Sequence, residues 1–219
     1  MKLPGAGYLA CGCASEEHSP VFIVITGGPG AGKTAILELA RRVFCEHVTI
    51  LPEAASIVFG GGFPRLDSTP ARRAAQQAIF HVQRQLETWV AEERQAAIVL
   101  CDRGTLDGLA YWPGAHSGYF ERLEVTRAQE LARYRAVIHL RTPAAKGGYV
   151  NSALRIESAE EAAKIDQEIW QAWEGHPQRH EVVSEGDFSV KALAALEWVR
   201  SQLPECCRSH PISVAEEDE

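Results

Sequence analysis

Short apolar runs alternate with stretches of helical periodicity along most of the chain. Four runs are almost continuously apolar and have the length of buried strands, and a shorter fifth run follows them. The predicted strands are Val21–Thr26, Val48–Leu51, Ala97–Cys101, Ala136–Leu140 and Glu181–Ser184. Strands that alternate with helices predict an α/β fold, in which helices cover both faces of a parallel sheet.

Between these runs, apolar residues recur at three- and four-residue steps, which predicts helices. The predicted helices cover about 33–45, a long segment from about 69, a region around 123–131, a segment from about 159 to 174, and roughly 189–203. Asp67 or Ser68 can cap the long helix, with Pro70 in its first turn. Ser158 and Glu161 form a capping box for the later helix.

A single domain over residues 20–203, with a lid over about 142–175, accounts for these elements. Residues 1–19 are expected to form a flexible leader and residues 204–219 an acidic tail. The sequence lacks a membrane-helix-length apolar stretch and a sustained signal-peptide core, so a cytoplasmic location is expected. The net charge of −7 argues against a general nucleic-acid binder, although much of the excess lies in the tail.

The six cysteines raise the question of a metal site. Cys11-x-Cys13 and the Cys206-Cys207 pair resemble half-sites for a metal ion. Neither has the two-residue gap of a zinc knuckle, and no histidine pair completes either one. Free thiols in a reducing compartment are therefore expected instead.

The segment that follows the first predicted strand carries the strongest chemical signal. Gly27–Thr34 fits G-x-x-x-x-G-K-[ST] and leads directly into a predicted helix. Glycines let backbone N–H groups approach a polyphosphate, and the helix presents its positive dipole end to the anion. Lys33 is predicted to reach the β- and γ-phosphates, and the Thr34 hydroxyl is predicted to bind Mg²⁺. The predicted nucleotide-binding residues are Gly28, Pro29, Gly30, Ala31, Gly32, Lys33, Thr34 and Ala35.

Two carboxylates follow predicted strands at the same edge of the sheet. Asp102 ends the third strand, where it can hold Mg²⁺ through water, although it can also cap a helix. Glu53 follows the second strand and is a candidate general base, with a solvated loop residue as the alternative. Arg103 either points at the transferring phosphate or forms a surface ion pair. Asp107 lies in the same turn region and could belong to the site, but its interpretation as a solvated carboxylate is at least as good.

Other residues support weaker interpretations. Residues 59–65 are rich in glycine and contain two aromatic residues, so they either wrap a planar acceptor or form a plain surface loop. Arg155, in the predicted lid, can close over the γ-phosphate or pair with a neighbouring carboxylate. Trp170 and Trp173 have the spacing of packing residues, and His139 is expected to be a satisfied core histidine.

These motifs together resemble P-loop kinases. Glu53 after the second strand and Asp102-Arg103-Gly104 after the third are similar to the pattern in thymidylate, deoxynucleoside and ribosylnicotinamide kinases. Over roughly residues 20–203 the chain also resembles AAA-labelled P-loop proteins described as predicted ATPases or kinases. The resemblance implies a three-layer fold with a five-stranded parallel sheet in the order 2-3-1-4-5, a helical lid, and ATP–Mg²⁺ as phosphate donor. It also implies that Thr34 and Asp102 flank the metal.

Three functions follow from this resemblance. The first is an ATP-dependent kinase that acts on a small nucleoside- or nucleotide-like acceptor. The second is a regulatory nucleotide-binding ATPase, and the third is a kinase of nucleic-acid ends. Two arginine groups could contact nucleic acid, although solvated helix faces explain them equally well: Arg65, Arg72 and Arg73, and Arg127, Arg133 and Arg135. A GTPase is disfavoured because the guanine-reading N-K-x-D motif needs an asparagine, and the sole one is Asn151.

Overall fold

The computed structural model describes residues 17–142, 159–183 and 188–208. Its centre is a five-stranded sheet in the order β2-β3-β1-β4-β5, in which every neighbouring pair is parallel. The strands are β1 (Val21–Thr26), β2 (Val48–Leu51), β3 (Ile98–Asp102), β4 (Ala136–Leu140) and β5 (Arg179–Val182). The predicted fold class and strand order are confirmed.

Eight α-helices and one 3₁₀ helix lie in the described ranges. The α-helices are α1 (Lys33–Val43), α2 (Ala54–Gly60), α3 (Thr69–Glu93), α4 (Ser117–Leu123), α5 (Arg127–Ala132), α6 (Ala159–Ala172), α7 (Phe188–Ser201) and α8 (Glu205–Arg208), and the 3₁₀ helix is Thr105–Tyr111. Ser68 caps α3 by accepting a hydrogen bond from the Ala71 N–H, as predicted. Among the described helices, none combines the length and apolar character required to span a membrane.

Alternate residues of the central strands face two separate cores, because successive strand side chains point to opposite faces. Ile23 and Ile25 pack with apolar residues of α1 and α7 on one face. Val24 and Val99 pack on the other face with residues of α3, α6 and the 3₁₀ helix. All four side chains are fully buried, which is why the strands read as continuous apolar runs. The molecule therefore has three layers, with helices on both sides of the sheet.

Several predicted boundaries need correction, and β3 lies one residue later than predicted. The first helix ends at Val43 rather than Cys45, and β5 begins two residues before the predicted Glu181. Helix α2 was not predicted at all, and it covers the first two residues of the glycine-rich segment 59–65.

Both predicted termini hold ordered contacts where they are described. The backbone N–H of His18, within the predicted leader, donates to the Arg94 carbonyl oxygen. The predicted acidic tail contains helix α8, in which Cys207 is buried. The remainder of the leader and tail, most of the loop after β4, and the capping residue Ser158 lie outside the described residues.

Candidate nucleotide-binding and phosphoryl-transfer site

The loop between β1 and α1 has a backbone that only glycine accommodates at key positions. Gly27, Gly30 and Gly32 have φ values of 136°, 77° and 92°, in the region that disfavours other residues. A Cβ at Gly27 would lie 2.1 Å from the Leu140 carbonyl oxygen, so the neighbouring strand β4 also excludes a side chain there. The sequence motif thus produces a tight, glycine-dependent turn at the carboxyl end of the sheet.

Helix α1 begins with its N–H groups available to a ligand. Gly32, the residue before the helix, provides no side-chain cap, and the first turn contains no acidic residue. The first N–H groups of a helix need partners from outside the helix, and an anion is a suitable one. Thr34 and Ala35 are exposed at this helix start, where a bound phosphate and its metal ion would contact them.

The Lys33 side chain curls back over the loop. Its Nζ donates to the Gly27 and Gly28 carbonyl oxygens, at 2.9 Å each. Burial, together with the positive charge of Arg103, lowers the pKa of Lys33 to about 7. A nearby anion would raise this pKa and stabilise the ammonium form, so a negatively charged ligand would bind favourably beside Lys33.

Asp102 lies at the end of β3, beside the loop. Its Oδ1 is buried and has no hydrogen-bond partner among the described residues. Burial raises the pKa of Asp102 to about 6; Lys33 opposes this rise and Glu53 adds to it. A buried, unpaired carboxylate oxygen is costly unless a cation accompanies it. Asp102 and the Thr34 hydroxyl therefore fit a Mg²⁺ ion, because Mg²⁺ prefers hard oxygen ligands and retains several waters.

Glu53 and Arg103 form a largely shielded pair between the ends of β2 and β3. Arg103 Nε donates to Glu53 Oε1 at 2.7 Å, and the Ser56 hydroxyl donates to Glu53 Oε2 at 2.6 Å. Arg103 thus forms an ion pair, as one of its two predicted roles required, but only 15% of its side chain and 28% of the Glu53 side chain are exposed, so the pair is largely shielded from solvent. Burial alone would raise the pKa of Glu53, but Arg103 and Ser56 lower it below its ordinary value.

Arg103 also connects this pair to the phosphate loop. Its Nη1 donates to the Gly27 carbonyl oxygen at 3.3 Å, and its guanidinium lies 5.9 Å from the centre of the Tyr111 ring. The backbone of Arg103 has a φ of 71°, which is uncommon for a residue with a side chain and occurs often at functional sites.

Asp107 is a structural residue, and its interpretation as a solvated carboxylate is wrong. The residue is buried, accepts a hydrogen bond from the Thr26 hydroxyl, and accepts another from the Gly104 N–H at 2.6 Å. Its side chain fixes the turn that follows β3 and thereby the position of Arg103.

The rear of the phosphate loop rests on Asp166, which the sequence analysis did not identify. The Gly28 N–H donates to Asp166 Oδ1 at 2.8 Å, and Arg141 Nη1 donates to Oδ2 at 3.0 Å. His139 Nε2 lies 3.1 Å from Oδ1. Burial would raise the pKa of Asp166, but His139, the Gly28 N–H and Arg141 lower it to about 2. The one available signal in the sequence was a carboxylate at a core-facing position of α6, where an apolar residue is the norm.

A buried lysine on α7 supports the same side of the loop. Lys191 Nζ donates to the carbonyl oxygens of Ala31 and Arg141, at 2.9 and 2.7 Å. Trp170 stacks with Arg179 and Arg141, whose guanidinium groups lie 3.6 and 4.5 Å from its ring centre.

Several smaller predictions can be compared with these contacts. Trp173 is fully buried in the core, which confirms the packing interpretation. His139 is a core histidine as expected, but only its Nε2 is paired with a described residue, and Nδ1 is buried without one. Arg155 and the loop that carries it lie outside the described residues, so the predicted role of Arg155 as a lid cation stays a prediction.

A cavity of about 280 Å³ adjoins the phosphate loop. Its wall runs from Pro29 to the Glu53–Arg103 pair and continues between α2, α3 and the 3₁₀ helix. Ile79, Thr105 and Asp107 also line the cavity. Further lining comes from aromatic rings and two amide side chains: Phe59, Phe80, Tyr111, Tyr119, Gln76 and Gln83. Arg65 also lines the cavity, and its guanidinium stacks 4.6 Å from the centre of the Phe59 ring. Part of the segment 59–65 is thus a cavity wall rather than a plain surface loop.

The glycine loop, the following helix and the doubly covered parallel sheet define a P-loop kinase-like NTPase. A family model described as "AAA domain" matches residues 22–191, and the chain belongs to that family. Among solved structures, the crystal structure of thymidylate kinase from Ehrlichia chaffeensis is similar in fold, with a TM-score of 0.52 and 14% identity. The similarity covers 83% of this chain and 99% of that chain. No curated protein matches the sequence.

Proposed function

We propose that the protein is an ATP-dependent phosphotransferase that acts on a small nucleoside- or nucleotide-like acceptor. The observation that carries this proposal is the cavity beside the phosphate loop, which has a carboxylate and a guanidinium at the end nearest the loop. Its volume approaches the lower limit for small-molecule sites, and its combination of aromatic rings and a few polar groups is typical of them. A regulatory ATPase would not need such a cavity beside the terminal phosphate.

In this proposal, the loop and the start of α1 bind the triphosphate of ATP. Lys33 exchanges its two carbonyl partners for phosphate oxygens, which stabilise its charged form. Thr34 and Asp102 hold Mg²⁺, which when bound neutralises charge on the phosphate oxygens. The buried Oδ1 of Asp102 supports this role, because it lacks a partner among the described residues.

Glu53 is a better candidate than Asp102 for the general base that acts on the acceptor hydroxyl. Glu53 lines the cavity, whereas Asp102 does not belong to its lining. The depressed pKa of Glu53 keeps it ionised at neutral pH, so that it can accept a hydrogen bond from an acceptor hydroxyl and orient it towards the γ-phosphate. Arg103 holds this carboxylate in place, and Arg155 remains our candidate for a cation supplied by the lid.

A small acceptor is favoured over a nucleic-acid end. Many of the arginines that could form basic patches are engaged within the chain. Arg72 and Arg73 donate to the carbonyl oxygens of Tyr111 and Pro113. Arg127 donates to three carbonyl oxygens at the end of α6, and Arg133 pairs with Glu87.

The test is acceptor-stimulated release of ADP from ATP and Mg²⁺, measured across a panel of nucleosides and nucleotides. We expect at least one acceptor to increase the rate. Glu53→Gln should reduce the stimulated rate about 10²-fold, with ATP affinity nearly unchanged. Glu38→Gln, at an exposed position on α1, is the matched control and should behave as wild type. Slow hydrolysis that no acceptor stimulates, and that Glu53→Gln leaves unchanged, would instead support a regulatory ATPase.

A further inference from the structure

A second cluster of side chains that can bind a metal ion lies at the amino ends of the strands. The phosphate loop lies at the opposite, carboxyl ends. His18 precedes β1, His47 precedes β2, and Cys207 belongs to α8. One ligand atom from each residue lies within 4.8 Å of the other two. His47 Nδ1 is 3.2 Å from Cys207 Sγ, and the rings of His18 and His47 are 4.5 Å apart between centres.

The backbone around each of these residues is held in place. The His18 N–H donates to the Arg94 carbonyl oxygen at 2.8 Å. The His47 carbonyl oxygen accepts from the Ala97 and Ile98 N–H groups, which extends the pairing of β2 with β3. The Cys207 N–H donates to the Pro204 carbonyl oxygen, and its thiol is buried. Three separate segments thus converge on one point with little freedom to move apart.

We propose that His18, His47 and Cys207 bind a Zn²⁺ ion. Imidazole nitrogen and thiolate sulfur are the ligands that Zn²⁺ prefers, and a tetrahedral site needs bonds of about 2.0–2.3 Å to them. Ligand atoms around such an ion are about 3.3–3.7 Å apart, so the separation of 3.2 Å between His47 and Cys207 requires little adjustment. On binding, the Cys207 thiol releases its proton to solvent, and water or another protein group completes the coordination.

Sequence spacing did not reveal this site. His18 and His47 are far apart in the chain, so they do not form a recognisable histidine pair beside the cysteines. Strands β1 and β2 pair in parallel with opposite sides of β3. This pairing brings the starts of β1 and β2, and with them His18 and His47, close together. Cys207 forms no disulfide bond with another described residue, in agreement with the expectation of free thiols, and the proposal adds a ligand role for this thiol.

The ion would connect the chain before β1 and the last described helix to the sheet. Because it binds the folded chain, it should stabilise that state by mass action. The position opposite the phosphate loop separates this role from phosphoryl transfer, so the proposal does not depend on the proposed function.

The test is a titration of chelator-treated protein with Co²⁺ and then Zn²⁺, in excess Mg²⁺ to occupy the nucleotide site. We expect one Co²⁺ per chain, with the charge-transfer absorption of a cobalt–thiolate bond, and displacement by one Zn²⁺. Cys207→Ala should abolish that absorption. His47→Ala and His18→Ala should each weaken Zn²⁺ binding at least tenfold, measured by competition with a chromophoric chelator. His18→Ala keeps the proposal testable if the other variants fold poorly.

Two matched controls separate metal binding from folding. His81→Ala removes an exposed histidine of α3, and Cys101→Ala removes a buried thiol of β3; both should bind Zn²⁺ as the wild type does. Circular dichroism checks that each variant is folded. The proposal is overturned if the wild type gives no cobalt–thiolate absorption, which would leave a simple contact between imidazole and thiol. It is also overturned if the absorption survives in folded Cys207→Ala.

Discussion

The phosphate loop has two sides whose carboxylates behave in opposite ways. On the rear, Asp166 accepts hydrogen bonds from the loop and from Arg141, and its pKa is lowered to about 2. On the front, Asp102 has an unpartnered Oδ1 among the described residues, and its pKa is raised to about 6. The chain therefore satisfies the rear charge by itself and leaves the front carboxylate oxygen without a partner among the described residues. In our proposal the rear is a scaffold, and the front binds the ligand.

The largest effect should separate the two lysines that contact the loop, Lys33 and Lys191. Lys33→Ala should reduce turnover of ATP at least 10²-fold, because it removes a charge that contacts the transferring phosphate. Lys191→Ala should instead lower the free energy of unfolding by about 2 kcal/mol, because a buried and a partly buried carbonyl oxygen lose their donor. Turnover rates and urea denaturation of both variants measure this difference. Equal effects of the two variants on turnover would contradict the assignment of Lys33 to the binding site and of Lys191 to the scaffold.

Substitution of Asp166 and of Asp102 should change the free energy of unfolding in different ways. Asp166→Asn should cost about 3 kcal/mol, because it removes the carboxylate that His139 contacts and one of the two carboxylates that pair with Arg141. Asp102→Asn should leave the nucleotide-free protein as stable as wild type or more so, because it removes a buried charge. Chemical denaturation without nucleotide is the measurement. A strongly destabilised Asp102→Asn variant would show that this carboxylate is structural.

Two glycines offer a smaller, geometric test. A Cβ at Gly28 would lie 2.5 Å from Thr142 Oγ1 and 2.8 Å from the Asp166 Cβ, so Gly28→Ala must displace the loop from its rear support. We expect a loss of about 2 kcal/mol in stability and weaker ATP binding. At Gly60 a Cβ would meet nothing within 4 Å, and Gly60→Ala, in α2, should be neutral or stabilising by up to ~1 kcal/mol. Thermal unfolding with and without ATP distinguishes these outcomes.

The smallest effect should appear in the pH dependence of stability without nucleotide. Because the folded-state pKa of Asp102 lies above its ordinary value, the folded protein loses stability as pH rises from about 4 to about 6. Relative to wild type, Asp102→Asn should gain on the order of 1–2 kcal/mol over that interval. Asp166 acts in the opposite direction: its contribution is present above about pH 4 and lost as pH falls towards 2. Urea denaturation tests the two signs, between pH 4 and 7 for Asp102→Asn and between pH 2 and 4 for Asp166→Asn. A curve for Asp102→Asn that runs parallel to that of the wild type would contradict the first sign, and a parallel curve for Asp166→Asn would contradict the second.

Much of the fold could be predicted because its signals are local. The central strands are apolar throughout, since helices bury both of their faces, and the phosphate loop is a contiguous motif. The edge strand β5 was misplaced because Arg179–Val182 is only partly buried and largely polar. Helix α2 was missed because seven residues between Pro52 and a glycine run leave too little periodicity to detect.

The parts of the site that depend on distant contacts were not predictable. Asp107 looked solvated until the structure placed it against Thr26. Asp166 is one of several charged residues on α6, and its role depends on contacts with β4 and the phosphate loop. Sequence patterns indicate which residue types are present near a motif. The packing of α6 on the sheet satisfies Asp166, and the turn after β3 satisfies Asp107.

The central claim is that the turn between β1 and α1 binds a nucleoside triphosphate. Calorimetric titration with ATP in the presence of Mg²⁺ tests it most directly, with Lys33→Ala as the site variant and Lys164→Ala, at an exposed position on α6, as the matched control. We expect one saturable site per chain in the wild type and in Lys164→Ala, and affinity reduced at least tenfold in Lys33→Ala. No binding of any triphosphate, or binding that Lys33→Ala leaves unchanged, would contradict the account.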